Sequence, residues 1–511
     1  MSEKVIVLDG LSLTLSDIVR VAREGYGARL SDEAVAAVKE ANALVEEWAA
    51  SDEVVYGITT GFGDLASVKI SPRDRRVLQE NLLRSHACGV GEPYPVDVTR
   101  AIMLLRINTL SRGHSGISHA TLSGLVALLN AGIHPVIPCQ GSVGASGDLC
   151  PLSHLAIALL GDGEAEFRGR IVPVREALSA AGLKPISLGA KEGLALNNGT
   201  TVMNAVAALA LVDALNLARL ADIAAAMSME ALHGVPYAYD ARTHALRAYR
   251  GQHDVASNVR RLIEGSEIVE RYKKDRVQDA YSLRCVPQVH GASRDALAHV
   301  RSVVEIEINS VTDNPLIFPK DRDVLSGGNF HGQPLALVMD FFGIAMAEFA
   351  SISERRQARL VDASLSDLPP FLIEDSGLNS GFMIPQYTSA ALVSENKVLA
   401  HPSSVDSIPT SANQEDHVSM GGYAARKAVS ILENARKVLA IETLLSAQAL
   451  DFSRLSLRPG RGTLAAHECV RSAIPYLKKD EYLHPLIERA LELIERGSIV
   501  DAVEAAIGQL A

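Results

Sequence analysis

The chain has 511 residues, and its 60 acidic side chains outnumber its 49 Lys and Arg side chains, which gives a formal net charge of −11 at pH 7. This acidic balance argues against a nucleic-acid binder, which would present a basic face to the phosphates. Hydrophobic residues make up 48% of the chain but aromatic ones only 5%, so we expect a large core built from aliphatic side chains.

The five cysteines are scattered, and none forms a Cys-x-x-Cys pair. This pattern is typical of a reducing cytoplasm and predicts neither a disulfide framework nor a zinc site. No basic stretch leads into an apolar segment at the start, so no secretory signal is predicted. The most apolar long run, residues 202–229, contains Asp213, Arg219 and Asp222, charges that a membrane span tolerates poorly. We therefore expect a cytoplasmic protein without a membrane span.

The first 200 residues mix short helical patterns with loops rich in Gly and Pro. Ser31 is suited to cap a helix, because apolar residues recur three or four positions apart directly after it. Tyr56 lies in a glycine-containing loop that can close over a site. We predict that residues 1–200 form an N-terminal α-rich region.

Residues 141–151 read G-S-V-G-A-S-G-D-L-C-P, and they contain a tripeptide suited to backbone cyclisation. If the nitrogen of Gly147 attacks the carbonyl carbon of Ala145, a five-membered ring closes. Loss of water, including the Ser146 hydroxyl, then leaves an exocyclic methylene, which is electrophilic. The missing Cβ of Gly147 permits the tight turn. A plain turn is the alternative interpretation, because runs of small residues are usually turns.

A helix is predicted to begin directly after the tripeptide. Asp148 can cap it, and Pro151 suits its first helical position. The N-terminus of this helix would place free N–H groups beside negative charge that develops during a reaction.

The character of the chain changes after Thr200. Four stretches with few helix breakers predict long helices, namely residues 201–232, 286–312, 334–362 and 420–450. We predict a mainly α fold, in which a long antiparallel helical bundle over residues 201–511 follows the N-terminal α-rich region with its reactive loop.

Seven strings resemble those of the aromatic amino acid ammonia-lyases, and they follow that family's order across nearly the whole chain. They are Y-G-I-T-T-G-F-G at 56–63, S-H-A-C-G-V-G-E-P at 85–93, G-S-V-G-A-S-G-D-L-C-P-L-S-H at 141–154, K-E-G-L-A-L-N-N-G-T at 191–200, V-Q-D-A-Y-S-L-R-C-V-P-Q-V at 277–289, S-G-G-N-F-H-G-Q-P at 326–334 and S-A-N-Q-E-D-H-V-S-M at 411–420. The resemblance implies a carbon–nitrogen lyase whose methylidene-imidazolone group forms from Ala145, Ser146 and Gly147, without an external cofactor. It also implies a homotetramer whose active sites are shared between subunits and in which the bundle forms the oligomer core.

The resemblance implies further roles around this electrophile. Tyr56 is implied as the base that removes the substrate's β-proton, while Tyr281 and Glu415 remain alternatives for that role. Arg284 is implied to bind the substrate carboxylate through its planar fork, with Gln278 nearby. The spacing of 278, 281 and 284 would place these three side chains on one face if the segment is helical.

Two more residues are implied to line the pocket. Asn198 would hydrogen-bond the ring or the substrate, and Phe330 would form an aromatic wall. The neighbouring Asn197 is a departure from the family pattern, and it leaves open which of the two amides faces the pocket.

His86 and Glu415 favour histidine as the substrate. The pair Ser85-His86 resembles the pattern of family members that act on histidine, and Glu415 stands where phenylalanine-specific members commonly carry Gln. A benzyl group would leave a buried carboxylate without a partner, whereas an imidazole N–H can satisfy it. We therefore expect conversion of L-histidine to trans-urocanate and ammonia.

Other functions remain possible from the sequence. The same electrophile would serve a phenylalanine or tyrosine ammonia-lyase, or an aminomutase, and a non-catalytic helical scaffold is a more distant alternative. None of the fifteen histidines has the H-E-x-x-H spacing, and His417, two residues after Glu415, is not enough for a ligand set. We predict a small amino acid as the partner and no metal.

Overall fold

A computed structural model of the protein describes residues 4–51, 55, 57–58, 60, 70–71, 74–453 and 456–511. The chain forms two compact units, each built from three stretches. Unit 1 contains Met1–Leu209, Arg301–Asp340 and Pro402–Arg426, and unit 2 contains Ala210–Val300, Phe341–His401 and Lys427–Ala511. Because both units are discontinuous in sequence, the predicted division at residue 200 stays a prediction.

The helices before Thr201 are separated by turns and short strands. They are α1 (Leu15–Arg23), α2 (Asp32–Ala50), α3 (Arg75–His86), α4 (Val96–Ser111), α5 (His119–Asn130), α6 (Leu149–Ile157), α7 (Val174–Ala180) and α8 (Glu192–Asn197). The prediction that Ser31 caps a helix is confirmed, because its hydroxyl accepts a hydrogen bond from the N–H of Ala34 in α2.

Short strands accompany these helices in unit 1. They are β1 (Val5–Leu8), β2 (Gly27–Leu30), β3 (Val90–Pro93), β4 (Ile133–Pro135), β5 (Pro138–Gln140), β6 (Glu164–Phe167), β7 (Arg170–Pro173), β8 (Leu316–Phe318) and β9 (Asp323–Leu325). β1 pairs in parallel with β2, with Val5 opposite Gly27. The other pairs are antiparallel: β3 with β5, β6 with both β4 and β7, and β8 with β9. β5 ends at Gln140, and the Ala145-Ser146-Gly147 tripeptide follows after four residues.

Long helices dominate the rest of the chain. From Thr201 onward the helices are α9 (Thr201–Ala231), α10 (Ala241–Ala245), α11 (Arg250–Leu262), α12 (Glu267–Tyr272), α13 (Tyr281–Arg284), α14 (Val286–Glu307), α15 (Gln333–Val361), α16 (Ala363–Ser366), α17 (Met383–Leu399), α18 (Gly421–Ser453), α19 (Arg461–Ala473), α20 (His484–Glu495) and α21 (Ser498–Ile507). The mainly α fold and the four predicted long helices are confirmed.

One predicted helix ends early. α14 stops at Glu307 and not near residue 312, where Asn309 and Ser310 follow. The hydroxyl of Ser310 donates to the carbonyl of Ile306 at 2.8 Å, and the amide of Asn309 donates to the carbonyl of Leu13 at 2.9 Å. Such side-chain bonds to the backbone compete with continued helix formation.

Buried polar pairs fix the direction of α14 within unit 2. In α9, Asp222 accepts a hydrogen bond from His290, and Ala218, one turn earlier, accepts one from Arg294, one turn after His290. The two helices therefore run antiparallel. α14 also runs antiparallel to α15, because Ser293 Oγ donates to the Ala345 carbonyl while the ring of His290, one turn earlier, packs against Phe349, one turn later in α15.

α18 runs in the same direction as α15 within unit 2. A Cβ on Gly343 would lie 2.9 Å from Ile431 Cδ1, so the two helices approach closely there. Further along both helices, Arg356 makes a two-point contact with Glu442, and both side chains are fully buried. A buried charge pair of this kind is strongly destabilising when one partner is lost, so it fixes the register of the two helices.

Two helices, α9 and α15, are long and apolar enough to cross a bilayer, with mean hydropathy of 1.6 and 1.8 over their most apolar windows. In the folded chain, however, 78% and 67% of these windows are buried in protein. Core helices of large proteins have the same composition, so burial in protein accounts for it.

Candidate active site

Ala145, Ser146 and Gly147 form a tight turn between β5 and α6. The N–H of Gly147 donates to the carbonyl of Gly144 at 3.2 Å. Gly144 and Gly147 have φ angles of +79° and +80°, and Ser146 has a φ of +52°. The left-handed region is uncommon for a serine, so the turn requires support from its surroundings.

Gly199, in the loop between α8 and α9, supports the turn on one side. Its N–H donates to the carbonyl of Ser146 at 3.1 Å, and its own carbonyl accepts from the N–H of Asp148 at 2.7 Å. A Cβ at Gly147 would lie 2.1 Å from the Gly199 oxygen. No side chain therefore fits at position 147.

The segment before α18 supports the turn on another side. A Cβ at Gly144 would lie 2.2 Å from Ser419 Oγ. The N–H of Met420 donates to the carbonyl of Val143 at 3.0 Å. The tripeptide is thus confined between residue 199 and residues 419–420 of unit 1.

The side chain of Asp148 caps α9 and not α6. Its Oδ2 accepts from the N–H groups of Val202 and Met203 at 2.8 and 3.0 Å. Asp148 stands at the N-cap position of α6, but the prediction that its side chain caps this helix is wrong, because two amides of α9 bind this oxygen and α6 receives no side-chain cap. Pro151 is the third residue of α6 and not the first. Burial raises the pKa of Asp148 to about 7, although the two amides and the guanidinium of Arg106 oppose the shift.

A cavity of about 460 Å³ opens beside the tripeptide. Its volume lies in the range of small-molecule sites. Several separate stretches of unit 1 form its walls, namely residues 144–146, 198, 314, 326–328, 330–331 and 414–418.

Glu415 points its carboxylate at the tripeptide. Ser146 Oγ donates to Glu415 Oε1 at 3.2 Å, and Thr410 Oγ1 donates to Oε2 at 2.9 Å. The backbones of Thr410 and Glu415 also exchange two hydrogen bonds, of 3.0 and 3.3 Å. Glu415 is therefore held at the base of a closed loop.

His86 is the last residue of α3, and it is half-buried. Its Nδ1 lies 2.9 Å from Ser85 Oγ. Burial lowers the pKa of His86, while the carbonyl of Leu82 and the charge of Glu415 oppose this shift. The two residues that favour histidine thus influence each other electrostatically.

The structure distinguishes the two neighbouring amides. Asn198 is buried and lines the cavity, and its Oδ1 has no hydrogen-bond partner among the described residues. Asn197 is also buried, but its Nδ2 donates to Ser153 Oγ in α6 at 3.1 Å. Asn198 is therefore the amide that faces the cavity.

Phe330 lies in the wall of the cavity beside two histidines that the sequence did not single out as site residues. The rings of His331 and His417 are nearly parallel, with centroids 5.5 Å apart. His417 Nδ1 lies 3.4 Å from His331 Nε2. In the sequence, the only indication of these two histidines is their position: His331 follows Phe330, and His417 stands two residues after Glu415.

Gln278, Tyr281 and Arg284 belong to unit 2 and are not among the residues that line this cavity. Tyr281 and Arg284 begin and end α13, and the guanidinium carbon lies 4.7 Å from the centre of the phenol ring. Gln278 is exposed and lies before α13 begins. The predicted helix face therefore includes Tyr281 and Arg284, but not Gln278.

Tyr56 lies outside the residues that the structure describes, as do Gly61 and Gly63 of the same loop. Among the residues that are described, no three His, Cys, Asp or Glu side chains cluster as metal ligands would. Of the predicted residues that the structure describes, Ala145, Ser146, Asn198, Phe330 and Glu415 line the cavity, whereas His86 and Gly147 are not among its lining residues.

Comparison with known proteins gives matches over nearly the whole chain. Residues 13–472 match the aromatic amino acid lyase family. The chain is 54% identical to a histidine ammonia-lyase of Alkaliphilus oremlandii over 504 residues, which cover 99% of each protein. Among solved structures, it is similar to the histidine ammonia-lyase of Trypanosoma cruzi (43% identity, TM-score 0.92, 98% of this chain and 96% of the other). It is also similar to the tyrosine aminomutase of Streptomyces globisporus (38% identity, TM-score 0.95, 99% and 100%).

Proposed function

This chain belongs to the aromatic amino acid lyase family, and on that basis we propose that it converts L-histidine to trans-urocanate and ammonia. In this reaction the bond between Cα and the amino nitrogen breaks, one β-proton leaves, and a Cα–Cβ double bond forms. The observation that carries the choice of histidine is the Glu415 carboxylate, which accepts a hydrogen bond from Ser146 at the wall of the cavity.

We propose that Ala145, Ser146 and Gly147 condense to a methylidene-imidazolone. The fit is supported by the confined turn, which leaves no room for a side chain at Gly147 and holds Ser146 at a φ of +52°. The group supplies an electrophilic alkene that takes up the substrate's amino group. The chain's own residues bind and orient the substrate and move its proton.

Glu415 and His86 are suited to hold an imidazole. A carboxylate accepts a hydrogen bond from an imidazole N–H, and this charge-assisted bond is stronger than one between neutral groups. A benzyl side chain would instead remove water from Glu415 without replacing the hydrogen bond, which is costly. Asn198 is a further polar side chain in the wall of the same cavity, and an amide can bind either a donor or an acceptor of a substrate.

Removal of the β-proton is assigned to Tyr56, with Tyr281 and Glu415 as the alternative bases. A phenol has an ordinary pKa of about 10, so it acts as a base near neutral pH only if its surroundings stabilise the phenolate. The guanidinium carbon of Arg284 lies 4.7 Å from the centre of the Tyr281 ring, so a cation stands beside this alternative base.

We assign Arg284, Gln278 and Tyr281 to sites shared between the subunits of a homotetramer. The Tyr281 side chain is 70% exposed on its own chain, and Arg284 Nε is buried without a hydrogen-bond partner among the described residues. The exposed Tyr281 can meet a neighbouring subunit, and an unpartnered nitrogen such as that of Arg284 is uncommon for a buried polar group, which supports a role for both residues beyond their own chain. Co-expression of Ser146→Ala with Arg284→Gln tests this: mixed oligomers regain activity if sites are shared, and remain inactive if each chain builds its own site.

The function itself is tested with a substrate panel. The purified protein is expected to release ammonia and urocanate from L-histidine faster than it forms cinnamate from phenylalanine or coumarate from tyrosine. Its intact mass should lack two waters relative to the encoded chain. Preferential formation of cinnamate or coumarate, or a full-length mass, would contradict the proposal.

The second candidate is an aminomutase, which would return the amino group to Cβ. The 38% identity to a tyrosine aminomutase over 99% of this chain supports it. Analysis of the products separates the two functions, because a mutase yields a β-amino acid and a lyase yields free ammonia.

We also propose that the protein works in the cytoplasm. The five cysteines are free thiols in the fold, which suits a reducing compartment. Fractionation of the native cells, with detection of the protein in the soluble cytoplasmic fraction, tests this.

A further inference from the structure

His331 joins two walls of the cavity. It follows Phe330 in the loop before α15, and its partner His417 lies in the loop that carries Glu415. His331 Nε2 lies 3.3 Å from the carbonyl oxygen of His417 and 3.4 Å from its Nδ1. The contact therefore links the loop of Phe330 to the loop of Glu415.

The hydrogen bonds of His331 determine which ring nitrogen carries the proton. The N–H of Gln333, at the start of α15, donates to His331 Nδ1 at 3.3 Å. Because Nδ1 accepts, the neutral ring carries its proton on Nε2. His331 is thus a donor toward His417.

His331 stands on a fixed support. Its own N–H donates to the carbonyl of Gly328 at 2.9 Å, and α15 begins two residues later. A Cβ at the neighbouring Gly332 would lie 2.5 Å from Met203 Sδ in α9. The His331 ring is therefore held in place by the start of α15 and by the closely packed backbone at Gly332.

The loop that contains Glu415 and His417 has a strained backbone, so it requires contacts that hold it in place. Ser411, Ala412 and Asn413 have φ angles of +50°, +52° and +68°, and non-glycine residues in this region cost about 1–2 kcal/mol each. On the far side of Glu415, the N–H of Val418 donates to Ser407 Oγ at 3.0 Å. His331 is an anchor from outside the loop, and it acts at His417, two residues after Glu415.

We propose that His331 is a positioning residue that sets the Glu415 carboxylate for recognition of the substrate's imidazole. The inference rests on the proposed function, because it acts through the group assigned to bind histidine. It assigns no contact between His331 and the reacting atoms.

The test is a double-mutant cycle with His331→Phe and Glu415→Gln. His331→Phe keeps a ring of similar size but removes the donor, and it should lower kcat/KM for histidine about tenfold, as expected for a misplaced binding group. In the Glu415→Gln background the same change should cost less than about twofold, because coupled residues are not additive. Trans-urocanate should also bind His331→Phe more weakly, as measured by calorimetry.

Two variants control this cycle. His331→Gln retains an N–H donor near the same place and should recover most of the lost kcat/KM. His484→Phe, an exposed histidine in unit 2 outside the cavity, should leave turnover unchanged. The intact mass of each variant must lack two waters, so that an effect on positioning is separated from a failure to form the electrophile.

Three outcomes would overturn the inference. Additive effects of His331→Phe and Glu415→Gln would mean that His331 does not act through Glu415. Wild-type kcat/KM in His331→Phe would mean that the contact positions nothing. No rescue by Gln, together with a full-length mass, would assign His331 to folding. If the wild-type protein does not deaminate histidine, the proposed function fails first and the inference fails with it.

Discussion

Ser146 and Glu415 are 269 positions apart in the sequence, yet the serine hydroxyl donates to the glutamate carboxylate at 3.2 Å. The residue proposed to become the electrophile and the residue proposed to recognise the substrate side chain are therefore direct neighbours. A substrate in the cavity would present its side chain to Glu415 and its amino group to the group formed from Ser146, whose hydroxyl is lost in the proposed condensation.

Glu415→Gln is expected to reduce kcat/KM for histidine strongly. It exchanges a charged acceptor for a neutral amide, and loss of a charge-assisted hydrogen bond is worth about 2–3 kcal/mol, or roughly 30- to 150-fold in rate. The measurement is steady-state urocanate formation. Glu305→Gln, which alters an exposed ion pair with Arg301, is the matched control and should behave as wild type. Unchanged turnover in Glu415→Gln would mean that this carboxylate does not bind the imidazole.

Asn198→Ala and Asn197→Ala should separate activity from stability. Asn198 lines the cavity, so its loss should lower kcat/KM at least about tenfold with little effect on the thermal midpoint. Asn197 donates to Ser153 Oγ, so its loss should cost about 1–2 kcal/mol of stability and leave more of the activity intact. The opposite pattern would assign the pocket to Asn197.

Gly199→Ala should impair formation of the prosthetic group. The added Cβ would lie 2.6 Å from Thr312 Oγ1 at a φ of +126°, and relief of this clash would move the backbone that bonds Ser146 and Asp148. The intact mass is expected to show chains that retain both waters. Gly132→Ala also introduces a side chain at positive φ, +67°, but has nothing within 4 Å, so it controls for backbone strain alone. Complete water loss in Gly199→Ala would contradict the role of this contact.

The raised pKa of Asp148 predicts a specific dependence of stability on pH. Burial raises this pKa from 3.8 to about 7, so the folded chain holds a proton that the unfolded chain releases. The stability from this group is fully present below pH 3.8 and is lost as the pH rises through about 7. The total is at most about 4 kcal/mol, from 1.36 kcal/mol per pKa unit.

Asp148→Asn removes this titration and keeps an oxygen that can accept from α9. The thermal midpoint of the wild type should therefore fall relative to that of Asp148→Asn between pH 4 and pH 7.5. Asp32→Asn, at the exposed start of α2, is the control. A constant difference across this range would show that Asp148 is ionised throughout.

Local patterns were sufficient to predict much of the fold. The four long helices follow from uninterrupted apolar periodicity, and the helix after Ser31 follows from its cap. The end of α14 was missed, because it depends on bonds that Asn309 and Ser310 make to the backbone, one of them to Leu13, far away in sequence. The partner of Asp148 was missed for the same reason, since its carboxylate binds amides more than fifty residues ahead.

The candidate site was predicted from motif strings, and the structure adds which of these strings meet. Asn198 and Asn197 are equivalent in composition, and only the fold decides that one pairs with Ser153 while the other faces the cavity. His331 was overlooked because its position beside Phe330 was its only signal in the sequence, and a lone histidine is more often structural. Its importance appears only when the loop of His417 is placed against it.

The contacts that Gly199, Ser419 and Met420 make around the tripeptide also bear on when the proposed condensation can occur. Gly199 is translated soon after Gly147, but Ser419 and Met420 emerge from the ribosome only when about four-fifths of the chain has been made. A nascent chain that lacks these residues holds the turn from one side only. The proposed condensation would thereby be deferred until the protein is nearly complete, and the growing polypeptide would not expose an alkylating centre to cellular thiols and amines.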